Sequence, residues 1–204
     1  MTQRRVLSRF GSAILLFCVL QVEGANDGVI IKRFLSYNTK QVGQKLRVVN
    51  LKYNRCGPES DPGRLDELEI TSTPSGDVLV TLSASTDVDL EPPVQVTVEV
   101  YKRLFRSWVR IPCLNNVIGS CVHNDVCQHG FEECPFESLR KNSVPCHCPI
   151  AKGTYAFSLV EIPVPRIPQA KIVVGDYKAQ VVVRTHNTQI ACYNGSATVE
   201  ALSQ

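Results

Sequence analysis

Six of the nine cysteines in this 204-residue chain fall between Cys113 and Cys148, and His123, His129 and His147 lie among them. Clustered thiols and imidazoles can do two kinds of chemistry. They can hold a metal ion, or they can lock the chain as disulfides. Structural zinc sites draw on thiolates two to four residues apart, as in C-x-x-C pairs. No C-x-x-C occurs here; the close pair is Cys146-His147-Cys148. In an extended segment, residues at that spacing face the same side, near the outer separation limit for bridging each other. Cys146 and Cys148 are better placed to reach two different partners. With the cysteines oxidised, the three histidines read as surface residues between bridges.

The compartment favours disulfides over metal. Arg4, Arg5 and Arg9 precede an apolar run from Phe10 to Leu20, followed by Val22-Glu23-Gly24. A basic start, a short apolar stretch and small residues at the end describe a secretory signal peptide over residues 1–24. The apolar run is short for a bilayer span. Cleavage after Gly24 removes Cys18 and leaves eight cysteines, an even number suited to full pairing in an oxidising lumen. It also removes three arginines and Glu23, taking the formal charge from +3 to +1. A near-neutral chain offers no electrostatic footprint for nucleic acid. The remaining residues, Ala25 to Gln204, suffice for one domain with a substantial core.

The elements that must position the cysteines are strands. Residues 25–44 read as a loosely docked N-terminal extension, and residues 45–204 as the folded domain. Within it, Val94, Val96, Val98 and Val100 share one face, while Gln95, Thr97, Glu99 and Tyr101 take the other. Strict alternation of this kind marks a strand buried on one side. Further strands are predicted over 46–53, 68–73, 78–83, 154–160, 176–185 and 189–202, the last two joined by a turn at His186-Asn187-Thr188. No helical periodicity exceeds about two turns. Short strands separated by turn signals predict an antiparallel sandwich or an open barrel. Lys102, Arg103, Arg106 and Arg110 read as the solvated face of a hairpin, and their interleaving with Phe105 and Trp108 suggests contact with anionic lipid headgroups. Asn194-Gly195-Ser196 is a glycosylation sequon. Phosphate-binding glycine motifs and the G-x-S-x-G nucleophile elbow are both absent from the sequence. No nucleophile-and-base set stands out, so an enzyme is the weakest reading.

The segments W-V-R-I-P-C from Trp108, I-G-S-C from Ile118, V-P-C-H-C-P from Val144 and K-G-T-Y from Lys152 carry a resemblance. With V-P-R-I-P from Val164, G-D-Y from Gly175 and the late Cys192, they resemble the sphingolipid activators of the ML lipid-recognition family, over roughly Leu46 to Leu202. The resemblance implies an all-β fold, an immunoglobulin-like two-sheet antiparallel β-cup with an apolar lipid cavity, stabilised by disulfides. It implies pairing of Cys56 with Cys192, Cys113 with Cys121, Cys127 with Cys148 and Cys134 with Cys146. The implied function is a non-enzymatic carrier without cofactor or metal, secreted or in the lysosome lumen. Such a carrier lifts a ganglioside-like glycosphingolipid from a membrane and presents it to a glycosidase such as β-hexosaminidase. A sterol or phospholipid carrier of the same fold, or a secreted lipid-sensing receptor partner, remains the alternative. The candidate lipid contacts are Val96, Val98, Val100, Trp108, Tyr155 and Phe157, with Val181 and Val183 set opposite the first three. Between Cys127 and Cys134 the loop is shorter and more acidic than its family counterpart. Protonated histidines in an acidic lumen would raise the formal charge from +1 to +5 and favour peripheral contact with anionic membranes.

Overall fold

The computed structural model describes residues 43–116, 118–129, 137–164, 166–167 and 170–202. The signal peptide, nearly all of the extension, and Cys134 lie outside the described residues. Gln44, the last residue of the extension, exchanges backbone hydrogen bonds with Ile167.

Strands carry the fold: β1 (Leu46–Arg55), β2 (Gly63–Ser72), β3 (Val78–Thr86), β4 (Val94–Leu104), β5 (Ser107–Arg110), β6 (Val122–His123), β7 (Gly153–Ile162), β8 (Gly175–Thr185) and β9 (Thr188–Ala201). Among the described residues, helix is confined to a 3-10 turn at Val126–His129, α1 (Glu137–Lys141) and α2 (Ala170–Val173). The alternating valines become β4, which runs on to Leu104 and returns as β5. That return uses Phe105-Arg106, with Phe105 at φ 56°, so no glycine or asparagine announces the turn. Between β8 and β9 the chain reverses through His186-Asn187, both at positive φ, as a tight antiparallel hairpin requires. Gly76, at φ +81°, turns β2 into β3 so close to the chain ends that a Cβ there would lie 2.5 Å from Leu202 Cδ1. Only glycine suits both conditions.

The larger sheet runs β1-β9-β8-β4-β5, with β6 also paired to β4; the smaller runs β2-β3-β7. Every strand pairing is antiparallel. The fold is thus all-β, the two-sheet, disulfide-linked arrangement of an immunoglobulin-like β-cup. Cross-strand partners share a face, so register fixes which residues look inward. Val98 pairs with Val181, which pairs with Tyr193; Val100 pairs with Ala179; Val48 pairs with Val199. This face is the core, where Leu46, Val48, Val98, Val100, Tyr177, Ala179, Ala197 and Val199 are buried together. From the smaller sheet, Val78, Val80 and Val160 are buried. The chain passes from the smaller sheet to the larger between β7 and β8, and Ile167, Ala170 and Val173 of this crossover pack onto the same core.

The two sheets meet along one edge, where β2 contacts β1 and β9. There the Tyr53 hydroxyl accepts the Leu68 N–H at 3.0 Å, and the Tyr193 hydroxyl accepts the Leu65 N–H at 2.7 Å. On an edge strand such N–H groups have no neighbouring strand to satisfy them. The tyrosines replace that strand and hold the sheets together. Cys56–Cys192 lies at the end of the same edge and ties β1 to β9.

Candidate functional site

Away from this clamp the sheets end in two other edge strands, β7 on the smaller and β5 on the larger. Exposed apolar side chains collect on the elements around them: Leu159 on β7, Leu104, Phe105 and Val109 on the β4–β5 hairpin, and Ile172 on α2. Phe105 is 100% exposed, so no packing against the described residues accounts for an aromatic ring at that turn. A Lys102 Nζ hydrogen bond to the Ile172 carbonyl links the hairpin to α2.

Val96, Val98 and Val100 line the inner face of the larger sheet. Tyr155 and Phe157, paired with Ala84 and Leu82, line that of the smaller sheet. Val181 and Val183 stand opposite the β4 valines within the same sheet, as their register partners across the β4–β8 pairing, Val98 with Val181 and Val96 with Val183. Alternation reports a face but not the partner, and the hairpin of β8 and β9 places β8 directly beside β4. The inner face is itself divided. Val98 and Val100 are only 2% and 3% exposed beneath the crossover, whereas Val96, Val181, Val183, Tyr155 and Phe157 are half-buried.

Trp108 is a correction. It pairs with Arg103 on the outer face, and Lys178 Nζ sits 5.0 Å from its ring and 5.0 Å from that of Tyr101. The ring serves a cation–π stack on the outer surface, away from the inner face. Lys102 departs from expectation the other way. Two positions after Val100 on the same strand, it falls on the inner face beside its partner Tyr177, not on the solvated face with Arg103. His123, expected at the surface, is half-buried and pairs with Val96. His147 is exposed.

The cysteine-rich stretch buttresses β4. Cys113–Cys121 closes the loop between β5 and β6, and Cys127–Cys148 ties the 3-10 turn to the segment before β7. Cys146 is also disulfide-bonded, and Cys134, its expected partner, lies outside the described residues. Cysteines held in bridges are not available as thiolate ligands. Sequence reasoning missed Ser120, whose hydroxyl accepts the Val100 N–H at 3.0 Å and donates to the Val100 carbonyl at 3.2 Å. It fills the interval on the edge of β4 between β5 and β6. Asp125 accepts the N–H groups of both Val94 and Cys127 at 3.1 Å, fixing the start of β4 to the 3-10 turn. Tyr177, buried on the inner face, donates to the Val173 carbonyl, and burial pushes its pKa up to about 12.

Residues 50–199 match the profile of the ML domain. The chain belongs to the ML domain family. Its relatives include the Ganglioside GM2 activator of Mus musculus, 30% identical over 158 residues, spanning 72% of this chain and 81% of that protein. The Ganglioside GM2 activator of Macaca fascicularis is 28% identical over 163 residues, spanning 75% and 85%. Among solved structures, a Niemann-Pick type C2 protein from Japanese carpenter ant overlaps 72% of this chain and 98% of its own, at 17% identity and a TM-score of 0.35. A superposition that loose adds nothing to the fold already described. The ML domain match ends at Val199 in β9, so it includes both sheets and all three described bridges.

Proposed function

We propose that this chain is a non-enzymatic lipid carrier that holds acyl chains between its two sheets and hands the lipid on at its open edge. The observation that carries the reading is the set of exposed apolar residues on β7, the β4–β5 hairpin and α2, together with an inner face built of valines and aromatic rings. Exposed apolar surface costs roughly 25 cal/mol per Å², and lipid or membrane contact offsets that cost. The relatives named as ganglioside activators support a glycosphingolipid as cargo. On this reading the chain extracts a ganglioside-like lipid and presents it to a lysosomal glycosidase such as β-hexosaminidase.

The same proposal includes removal of residues 1–24, an extension over 25–44 and a carrier domain over 45–204, in the lysosome lumen or outside the cell. Asn194 carries the glycan; it lies on the outer face, where its Oδ1 accepts from Gln180 Nε2 at 3.1 Å. Contact with anionic membranes is peripheral, through the basic residues of the hairpin. Native purification from an acidic compartment, lipid extraction and mass spectrometry test the carrier. Stoichiometric glycosphingolipid supports the reading, a sterol or phospholipid selects the alternative cargo, and a stable stoichiometric receptor complex selects the lipid-sensing alternative. A purified protein with no lipid and no uptake from vesicles rules the carrier out.

A further inference from the structure

Lys102 is the inner-face cation at the open edge; the other inner-face cation of the described strands, Arg55, pairs with Tyr193 at the closed edge and gives an N–H to the Asp61 carbonyl. The partner of Lys102 across the sheet is Tyr177, and the Lys102 ammonium lies 5.5 Å from the centre of that ring. One N–H goes to the Ile172 carbonyl. An ammonium has three N–H donors, so hydrogen-bonding capacity remains for a ligand. Its place along the strand is as informative as its face. Inward from it, Val100 and Val98 are buried; outward from it, Leu104 and Phe105 are exposed. Lys102 therefore stands where an apolar lining gives way to water, which is where an amphiphile's acyl chains give way to its headgroup.

We propose that Lys102 selects lipids that carry an anionic oxygen group, a phosphate or a sulfate, close to the acyl chains. This rests on the carrier reading above and names the chemistry its open edge prefers. Burial already holds the Lys102 ammonium below the usual lysine pKa range. A bound anion offsets that desolvation and favours the charged form. A charge-assisted hydrogen bond is stronger than a neutral one. A neutral headgroup gains none of this.

Uptake from vesicles is measured with two matched pairs: 3-O-sulfogalactosylceramide against galactosylceramide, and phosphatidic acid against diacylglycerol. The first pair isolates a sulfate and the second a phosphate. The expected preference for the anionic member is about tenfold, equivalent to about 1.4 kcal/mol, in at least one pair. Lys102→Gln keeps an N–H for the Ile172 carbonyl but loses the charge; its preference should fall to about one with neutral uptake unchanged. Lys102→Arg should retain the preference. An unchanged preference in Lys102→Gln overturns the proposal. So does an equal fall for both members of a pair, which would mark the lysine as a tie between β4 and α2. A parent protein that takes up both members equally overturns it as well, while leaving the carrier reading intact. Uptake of no lipid in either pair would overturn the carrier reading too.

Discussion

One edge of the sandwich is closed and another is open, and the two are built from different chemistry. At the closed edge, Tyr53 and Tyr193 bond across to β2, and Cys56–Cys192 locks β1 to β9. The N–H groups of Leu65 and Leu68 have acceptors there, and both side chains are half-buried. At the open edge, Phe105, Leu159 and Ile172 stand in solvent, and a desolvated lysine faces inward. Stability is concentrated where contacts are satisfied, and ligand contact where they are not. A fold that must admit a lipid cannot clamp both edges.

Removing the lock should have the largest effect. Cys56–Cys192 spans 136 residues, and in the chain-entropy view a loop that long constrains the unfolded state most. Cys56→Ser with Cys192→Ser should lower unfolding free energy by about 2–5 kcal/mol, measured by urea denaturation. Protein that remains folded should still take up lipid, because the open edge is untouched. Uptake lost in step with no change in stability would reverse the assignment of roles.

Next in size is an acid-resistant tie. Asp77 is desolvated, which raises its pKa, but hydrogen bonds from Lys45, the Val164 N–H and Ser75, with the Lys45 charge, outweigh this and leave it lowered. A carboxylate whose folded pKa is depressed adds stability above its unfolded value, which is near 3.9, and loses it as pH falls through the folded value. At about pH 5, the acid end of the range that a histidine sensor reads, this tie between β1, β3 and the crossover is intact. Asp77→Asn should cost about 1.5–3 kcal/mol at neutral pH and flatten the acid limb of a stability-against-pH curve. An identical acid limb in the variant would show that the tie does not govern it.

Smaller still is the tyrosine clamp. Tyr53→Phe and Tyr193→Phe each leave an N–H of β2 without its acceptor, and about 1 kcal/mol apiece is expected. Hydrogen exchange at Leu65 and Leu68 should quicken in the matching variant while the amides of β4 stay protected. Quickening in β4 would mean that the two edges are not independent.

Much of the framework of strands was legible beforehand, because alternation is a local signal; the Tyr53 and Tyr193 clamp was not, and the Cys56–Cys192 lock came only from the family resemblance. The valines of β4 read correctly as one face, since every second residue is apolar from Val94 to Val100. Lys102 was legible by the same rule, two positions beyond Val100, yet its neighbours Arg103 and Arg106 made a surface reading look natural. Trp108 could not be placed: its face depends on where β4 turns, and Phe105-Arg106 carries no turn residue. Nor could the adjacency of β8 to β4 be read, because strand order is set by long-range pairing and leaves no local mark. Ser120 acts through its position on a strand edge, which exists only once β5 and β6 have both docked.

The smallest expected effect is the sharpest test of the comparison, because it should carry opposite signs at once. Phe105 holds a left-handed backbone angle, φ 56°, with its ring wholly exposed. A bulky residue at positive φ costs about 1–3 kcal/mol, and no buried contact with the described residues offsets it. Glycine adopts that angle freely, although it adds entropy to the unfolded state. Phe105→Gly should therefore leave the fold about 0.5–1 kcal/mol more stable. It should also weaken flotation with anionic vesicles, because the apolar tip of the hairpin is gone. Arg106→Gln is the companion variant: it should make flotation less sensitive to salt, since exposed charges are screened within about 8–10 Å at physiological ionic strength, and leave stability unchanged. A Phe105→Gly protein that is less stable would mean the ring packs somewhere after all. One that floats as well as the parent would move the membrane contact off the hairpin and onto Leu159 and Ile172.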